Sequence, residues 1–150
     1  MMGIKQKLFD KCVEFIEKRN QIVQYTINEI QESLKSETKS SAGDKHETGR
    51  AMLQLEREKA GKQLSEIENI KQTLAKIKLD NSSQIINFGS VVYTSKANYF
   101  ISISAGELKV GKDVFFAISA NTPIGQLLIG KMLGDEVVFR SQSFTITEVS

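Results

Sequence analysis

Apolar residues in the first half of the chain recur at alternating steps of four and three. Phe9, Val13, Ile16, Val23, Ile27, Ile30 and Leu34 keep this rhythm, with Asn20 in the one polar slot. A period of 3.5 holds one stripe of a helix against a partner, which is the seam of a coiled coil. Leu53, Ala60, Ile67, Ile70 and Leu74 repeat the rhythm further on. Five pairs (Ile30/Leu53, Val23/Ala60, Ile16/Ile67, Val13/Ile70 and Phe9/Leu74) have position numbers totalling 83, which predicts an antiparallel hairpin folding between Ser41 and Ala42. That register sets Asn20 opposite Gln63, whose amides can satisfy each other. It also sets Ile27 against Glu56, a poor match. The first helix is expected from Ile4 to Lys39 and the second from Lys45 to Leu79, with no proline to break either, since the only one is Pro123. Gly61 beside Ala60 suggests a close approach of the helices near Val23 and Tyr25.

Asp80-Asn81-Ser82-Ser83 reads as a polar linker, dividing the chain into a hairpin domain (1–79) and a second domain (84–150). From Gln84 onward the period drops to two. Strands are expected at Ile86–Thr94, Tyr99–Ser104, Val114–Ser119, Glu136–Arg140 and Phe144–Glu148, all rich in Val, Ile, Phe and Thr. One short helix interrupts them: Thr122 can cap it, Pro123 suits its first turn, Ile124, Leu127 and Leu128 give it an apolar face, and Gly130 suits its end. The predicted class is α+β, a long antiparallel coiled-coil hairpin followed by a small, mostly antiparallel sheet packed on one helix.

Composition narrows the chemistry. A net charge of +2 is unevenly placed, with 15 basic and 12 acidic residues up to position 79 and 5 and 6 thereafter, an asymmetry too small to imply nucleic-acid binding by itself. Cys12 and His46 are the only residues of their kinds, which excludes a disulfide framework and a zinc site of the usual ligand count. The register separates them widely, arguing against Cys–His catalysis; Cys12 is expected to be buried or half-buried. No apolar run approaches a membrane span and the amino terminus lacks a signal-peptide core, so the expectation is a cytoplasmic protein without membrane contact.

The tip of the hairpin carries the candidate chemistry. Asp44 and Glu47 stand three apart in Gly-Asp-Lys-His-Glu. An Asp at a helix start with Glu three residues later is a capping box, which satisfies free backbone donors and complements the helix dipole. The same two carboxylates on an exposed tip can also hold a hard divalent cation, weakly, with other ligands supplied from outside. Lys45, Arg50 and Arg57 are candidates for phosphate contact or, more simply, a solvated face, and His46 reads as a solvated tip residue.

Several segments together resemble a known family. FGSVVYT, then ISANTPIGQLLIGKMLGDEVVF, then FTITEV are similar to the carboxy-terminal domain of the Gre transcript-cleavage factors of bacterial RNA polymerase, and Asp44 and Glu47 match that family's acidic Asp-x-x-Glu pair after a glycine. The resemblance spans essentially the whole chain and implies an FKBP-like fold for the second domain. It further implies a monomer whose hairpin enters the polymerase secondary channel, where Asp44 and Glu47 share a Mg²⁺ with the polymerase to cut backtracked RNA at its 3′ end. Lys45, Arg50 and Arg57 would then contact RNA or polymerase, and Asn121, Thr122 and Pro123 would form a polymerase-facing edge. The chain departs from the family at Thr48, Gly49 and Arg50, where Asn and a Glu-Tyr pair are usual. A Gre-fold regulator that enters the channel without cleaving is therefore an alternative; an FKBP-type isomerase or chaperone is another, disfavoured because the aromatic residues sit mostly at alternating strand positions.

Overall fold

The computed structural model describes residues 3–39 and 44–150, with side chains for 3–36 and 47–150. The element order is α1 (Ile4–Lys39), α2 (Asp44–Ala75), β1 (Val91–Thr94), β2 (Asn98–Ser102), β3 (Gly106–Val110), β4 (Asp113–Ser119), α3 (Pro123–Leu128), β5 (Glu136–Phe139) and β6 (Gln142–Val149). The predicted fold point between Ser41 and Ala42 lies outside the described residues. By contacts the chain divides into Ile16–Ile70 and a second unit of Met1–Phe15 with Lys71–Ser150.

Within Ile16–Ile70 the two helices pack as a hairpin. Ile27, Ile30 and Ala60 form its buried core, flanked by half-buried Val23, Leu34, Leu53 and Leu64. Ile16 and Ile67 are buried as well. Fully burying an aliphatic side chain of this size is worth about 1.5–3 kcal/mol, so this stripe, and not helix propensity, holds the pair together. The Asn20/Gln63 pairing does not form. Gln63 is exposed, Leu64 takes the seam position beside it, and the buried side-chain oxygen of Asn20 has no hydrogen-bond partner. Glu56 is likewise exposed while Arg57 is half-buried. Both corrections have one cause. From Ile16 to Leu34 a step of four on one helix meets a step of three on the other, so the pair totals there alternate between 83 and 84, and Asn20 and Ile27 fall on the 84 steps opposite Leu64 and Arg57. Val23 packs on the Ala60 cluster as expected, whereas Tyr25 is 67% exposed, so Gly61 does not seat Tyr25 against the partner helix. Its missing side chain instead leaves room for Arg57, whose Nη1 would lie 3.2 Å from a Cβ there.

The second unit is built on a six-stranded sheet of order β3-β4-β2-β1-β6-β5, antiparallel except for the β2/β4 pair. Ile86, Val92, Ile101, Leu128, Val137, Phe144 and Ile146 fill the core on the α3 side. On the opposite parity Val91, Phe100 and Phe115 are fully buried, and Cys12 Sγ lies 3.7 Å from Ser102 Oγ, bringing the start of α1 to that face. This contact explains why Leu8 and Cys12, and not Phe9 and Val13, are the fully buried residues of α1's first turns.

The largest differences from expectation lie at the end of α2, before β1 and between β2 and β4. α2 ends at Ala75, not Leu79, in a tighter turn with Lys76 N bonded to Thr73 O and Ile77 N to Leu74 O. Residues 86–90 are not strand: Gly89 has φ +94, and the Asn87 backbone N–H bonds Ser90 Oγ in a turn that delays β1 to Val91. β3 was not expected. It is an edge strand with Leu108 as its only buried residue, joined to β4 through the two-residue turn Gly111-Lys112 with Gly111 at φ +61.

Candidate functional site

α2 begins at Asp44, one residue before the expected start, so Asp44 already has helical backbone. The side chains of Asp44, Lys45 and His46 lie outside the described residues, as does the cap geometry of the proposed capping box. Glu47 is exposed on the next position of the same face, since residues three apart in a helix are neighbours. Two carboxylates so spaced offer hard oxygen donors of the kind Mg²⁺ prefers, though fewer than its six-coordinate geometry requires.

Arg50 and Arg57 are held by the hairpin itself. Both fall on seam positions and are half-buried. Arg50 Nη1 donates to the Leu34 carbonyl oxygen at 3.4 Å, at the long end for a hydrogen bond but charge-assisted and across the helix pair. This tie joins α1 to α2 six residues after the start of α2. Arg57 lies over Gly61. Arg50 and Arg57, two of the candidates for phosphate contact, are thus partly engaged within the hairpin.

Asn121, Thr122 and Pro123 come together at the start of α3. Thr122 Oγ1 accepts from the Gly125 N–H at 3.1 Å and donates to the Ser119 carbonyl at 2.8 Å, while Pro123 occupies the first helical position. Gln126 Nε2 closes the turn by donating to the Asn121 carbonyl at 3.1 Å. Gly125 is the residue that reading the sequence missed. A Cβ there would overlap the Ser119 carbonyl oxygen and lie 2.9 Å from Thr122 Oγ1, so only glycine permits the cap. The Thr-Pro-x-Gly spacing carried the signal. Asn121 and Pro123 are exposed on this rigid corner, whereas Thr122 is spent on the cap.

The aromatic residues are largely structural. Tyr93 meets Phe115 edge-on at 5.5 Å, and Tyr99 lies 6.2 Å from Phe116 and 6.5 Å from Phe144. Burial raises the pKa of both tyrosines and pushes the Cys12 thiol up to about 11, against a smaller opposing effect of its Ser102 contact. A thiol held neutral in this way is a packing residue, not a nucleophile.

No family model and no curated protein matches the chain. Among solved structures, that of the transcription factor Gfh1 is similar over 94% of this chain and 92% of that one, at 17% identity and a TM-score of 0.34. A likeness at that level does not establish a family. No helix among the described residues is long and apolar enough to cross a membrane.

Proposed function

We propose that this protein is a Gre-type transcription elongation factor that inserts its hairpin tip into the secondary channel of RNA polymerase and stimulates cleavage of backtracked RNA. The observation that carries the reading is the Asp44/Glu47 pair opening α2 at the end of a hairpin whose first helix runs 36 residues, about 54 Å at 1.5 Å per residue. Such reach suits delivery of a carboxylate pair into a site the protein does not itself contain. Asp44 and Glu47 would hold Mg²⁺ jointly with the polymerase; when bound, the ion would supply the activated water and charge stabilisation of two-metal phosphoryl chemistry. The Arg50 tie to Leu34 and the seam beneath it join α1 to α2 behind the pair. The Thr122-capped corner gives the second unit a rigid edge for docking outside the channel, with Asn121 and Pro123 as its exposed residues.

The test is RNA shortening in purified, backtracked elongation complexes. Cleavage that is lost on changing Asp44 and Glu47 to Ala supports the reading; shortening by the double variant at the wild-type rate refutes it. One observation favours a second reading, a Gre-fold regulator that occupies the channel without cutting. Arg50, where the family usually carries an acidic residue, is turned back onto α1. Competition for the channel with no shortening would select that reading.

A further inference from the structure

Lys5 in the first turn of α1 and Lys76 and Lys78 in the turn after α2 converge on a cleft of about 210 Å³, whose walls also include Ser82, Ser83 and Asn87. No acidic residue lines it. None of the three lysines pairs with a carboxylate of a described residue. The Lys5 ammonium donates one of its three protons to the Asn81 carbonyl oxygen at 2.7 Å, leaving two. Lys5 is also half-buried, and that burial holds its pKa below the ordinary lysine value, as expected for a cation that has shed water without gaining a counter-charge. Its place in the helix is unfavourable too. α1 has no acidic residue in its first turn, and a cation at the positive end of a helix opposes the dipole. Asn87 Oδ1 is engaged by the Ser90 hydroxyl at 3.1 Å, which leaves the Asn87 NH₂ as a donor.

Uncompensated positive charge gathered around a small polar cleft is offset most effectively by an anion. We propose that this cleft binds a diphosphate group, with the Lys5, Lys76 and Lys78 ammonium groups neutralising it and the Ser82 hydroxyl and Asn87 amide donating to its oxygens. Lysine serves phosphate as a compact point charge and needs no planar fork, so three of them from different directions suit a group with oxygens on all sides. A volume of about 210 Å³ admits such a group and excludes a folded nucleic-acid strand. The site is remote in sequence from Asp44 and Glu47 and does not depend on the reading of the tip.

The experiment is isothermal titration of the full-length protein with inorganic pyrophosphate at low ionic strength, with sulfate and a single-stranded oligonucleotide as separate arms. Pyrophosphate is expected to bind at one site, and Lys5→Gln is expected to weaken it by about tenfold or more, the effect of losing one charge-assisted contact. Lys76→Gln and Lys78→Gln, at exposed positions that leave folding intact, should weaken it as well, while Lys59→Gln on the far helix should not. A nucleoside diphosphate binding as tightly as pyrophosphate would identify a nucleotide as the source of the group; much weaker binding would identify free diphosphate. Absence of pyrophosphate binding at millimolar concentration, equal binding of sulfate, affinity only for the oligonucleotide, or indifference to all three cleft lysines would each overturn the proposal.

Discussion

Asn20→Leu should make this protein more stable, a sign opposite to that of most substitutions. In the hairpin Asn20 occupies a seam position and its side-chain oxygen is buried with no hydrogen-bond partner. The residue across from it by register is Leu64, half-buried in the same cluster as Val23 and Ala60. A buried polar atom without a partner costs about 1–3 kcal/mol, and leucine at the same place removes that cost while adding apolar area. Asn20 is only half-buried as a whole, so a net gain of roughly 1–2 kcal/mol is expected. For a chain of this size that corresponds to a rise in Tm of about 2–8 °C, at about 2–4 °C per kcal/mol. Urea melts followed by circular dichroism at two protein concentrations would measure it and expose any change in association, which a polar seam residue can control. Gln63→Ala, being exposed, should stay within about 0.5 kcal/mol of wild type. A loss of stability in Asn20→Leu, or a loss above about 1 kcal/mol in Gln63→Ala, would show that the two amides do pair and that the alternating register is wrong.

Gly125→Ala should cost about 1–3 kcal/mol in thermal melts, because the added Cβ overlaps the Ser119 carbonyl and crowds Thr122 Oγ1; a variant as stable as wild type would refute the claim that the α3 cap requires glycine. Ser141→Gly should stabilise by roughly 0.5–1 kcal/mol, since Arg140 and Ser141 form the β5–β6 turn with φ of 51° and 65°, a conformation that penalises a Cβ; destabilisation would contradict that reading. Cys12 should react with a thiol reagent at pH 8 far more slowly in the native protein than in urea, because it is buried and its pKa is raised to about 11. A pKa raised in the folded state stabilises the fold fully below the unfolded value near 9, and that contribution is lost as pH rises from about 9 to about 11. Rapid native labelling would sink this account of Cys12.

Much of the architecture was legible because it rests on periodicity. The 3.5 rhythm marked the seam of α1 from Ile16 to Leu34, and the change to period two located most of the sheet. What escaped was set by geometry between elements. Neither Asn20 nor Gln63 announces which of them faces the seam; that depends on how steps of four and three interleave across two helices. β3 went unseen because an edge strand with one buried residue leaves almost no alternation to read. Phe88-Gly89-Ser90 looked like strand because its apolar content matched, yet the turn at Gly89 is a matter of backbone conformation. At the tip, the spacing of Asp44 and Glu47 was plain, whereas the engagement of Arg50 on the Leu34 carbonyl required the folded partner helix. The Lys5, Lys76 and Lys78 cleft joins residues from opposite ends of the hairpin sequence, a convergence no local motif signals.

The central claim is that Asp44 and Glu47 act as a metal-holding pair and not only as helix-capping residues. The most direct measurement is RNA cleavage in backtracked elongation complexes by the Asp44→Asn variant across a Mg²⁺ titration. Asparagine caps a helix about as well as aspartate but lacks the charge a divalent ion needs, so the substitution separates the two roles. The account predicts an unchanged melting temperature, sharply reduced cleavage at limiting Mg²⁺ and partial recovery as Mg²⁺ rises by mass action. Full cleavage by Asp44→Asn at limiting Mg²⁺ would contradict it.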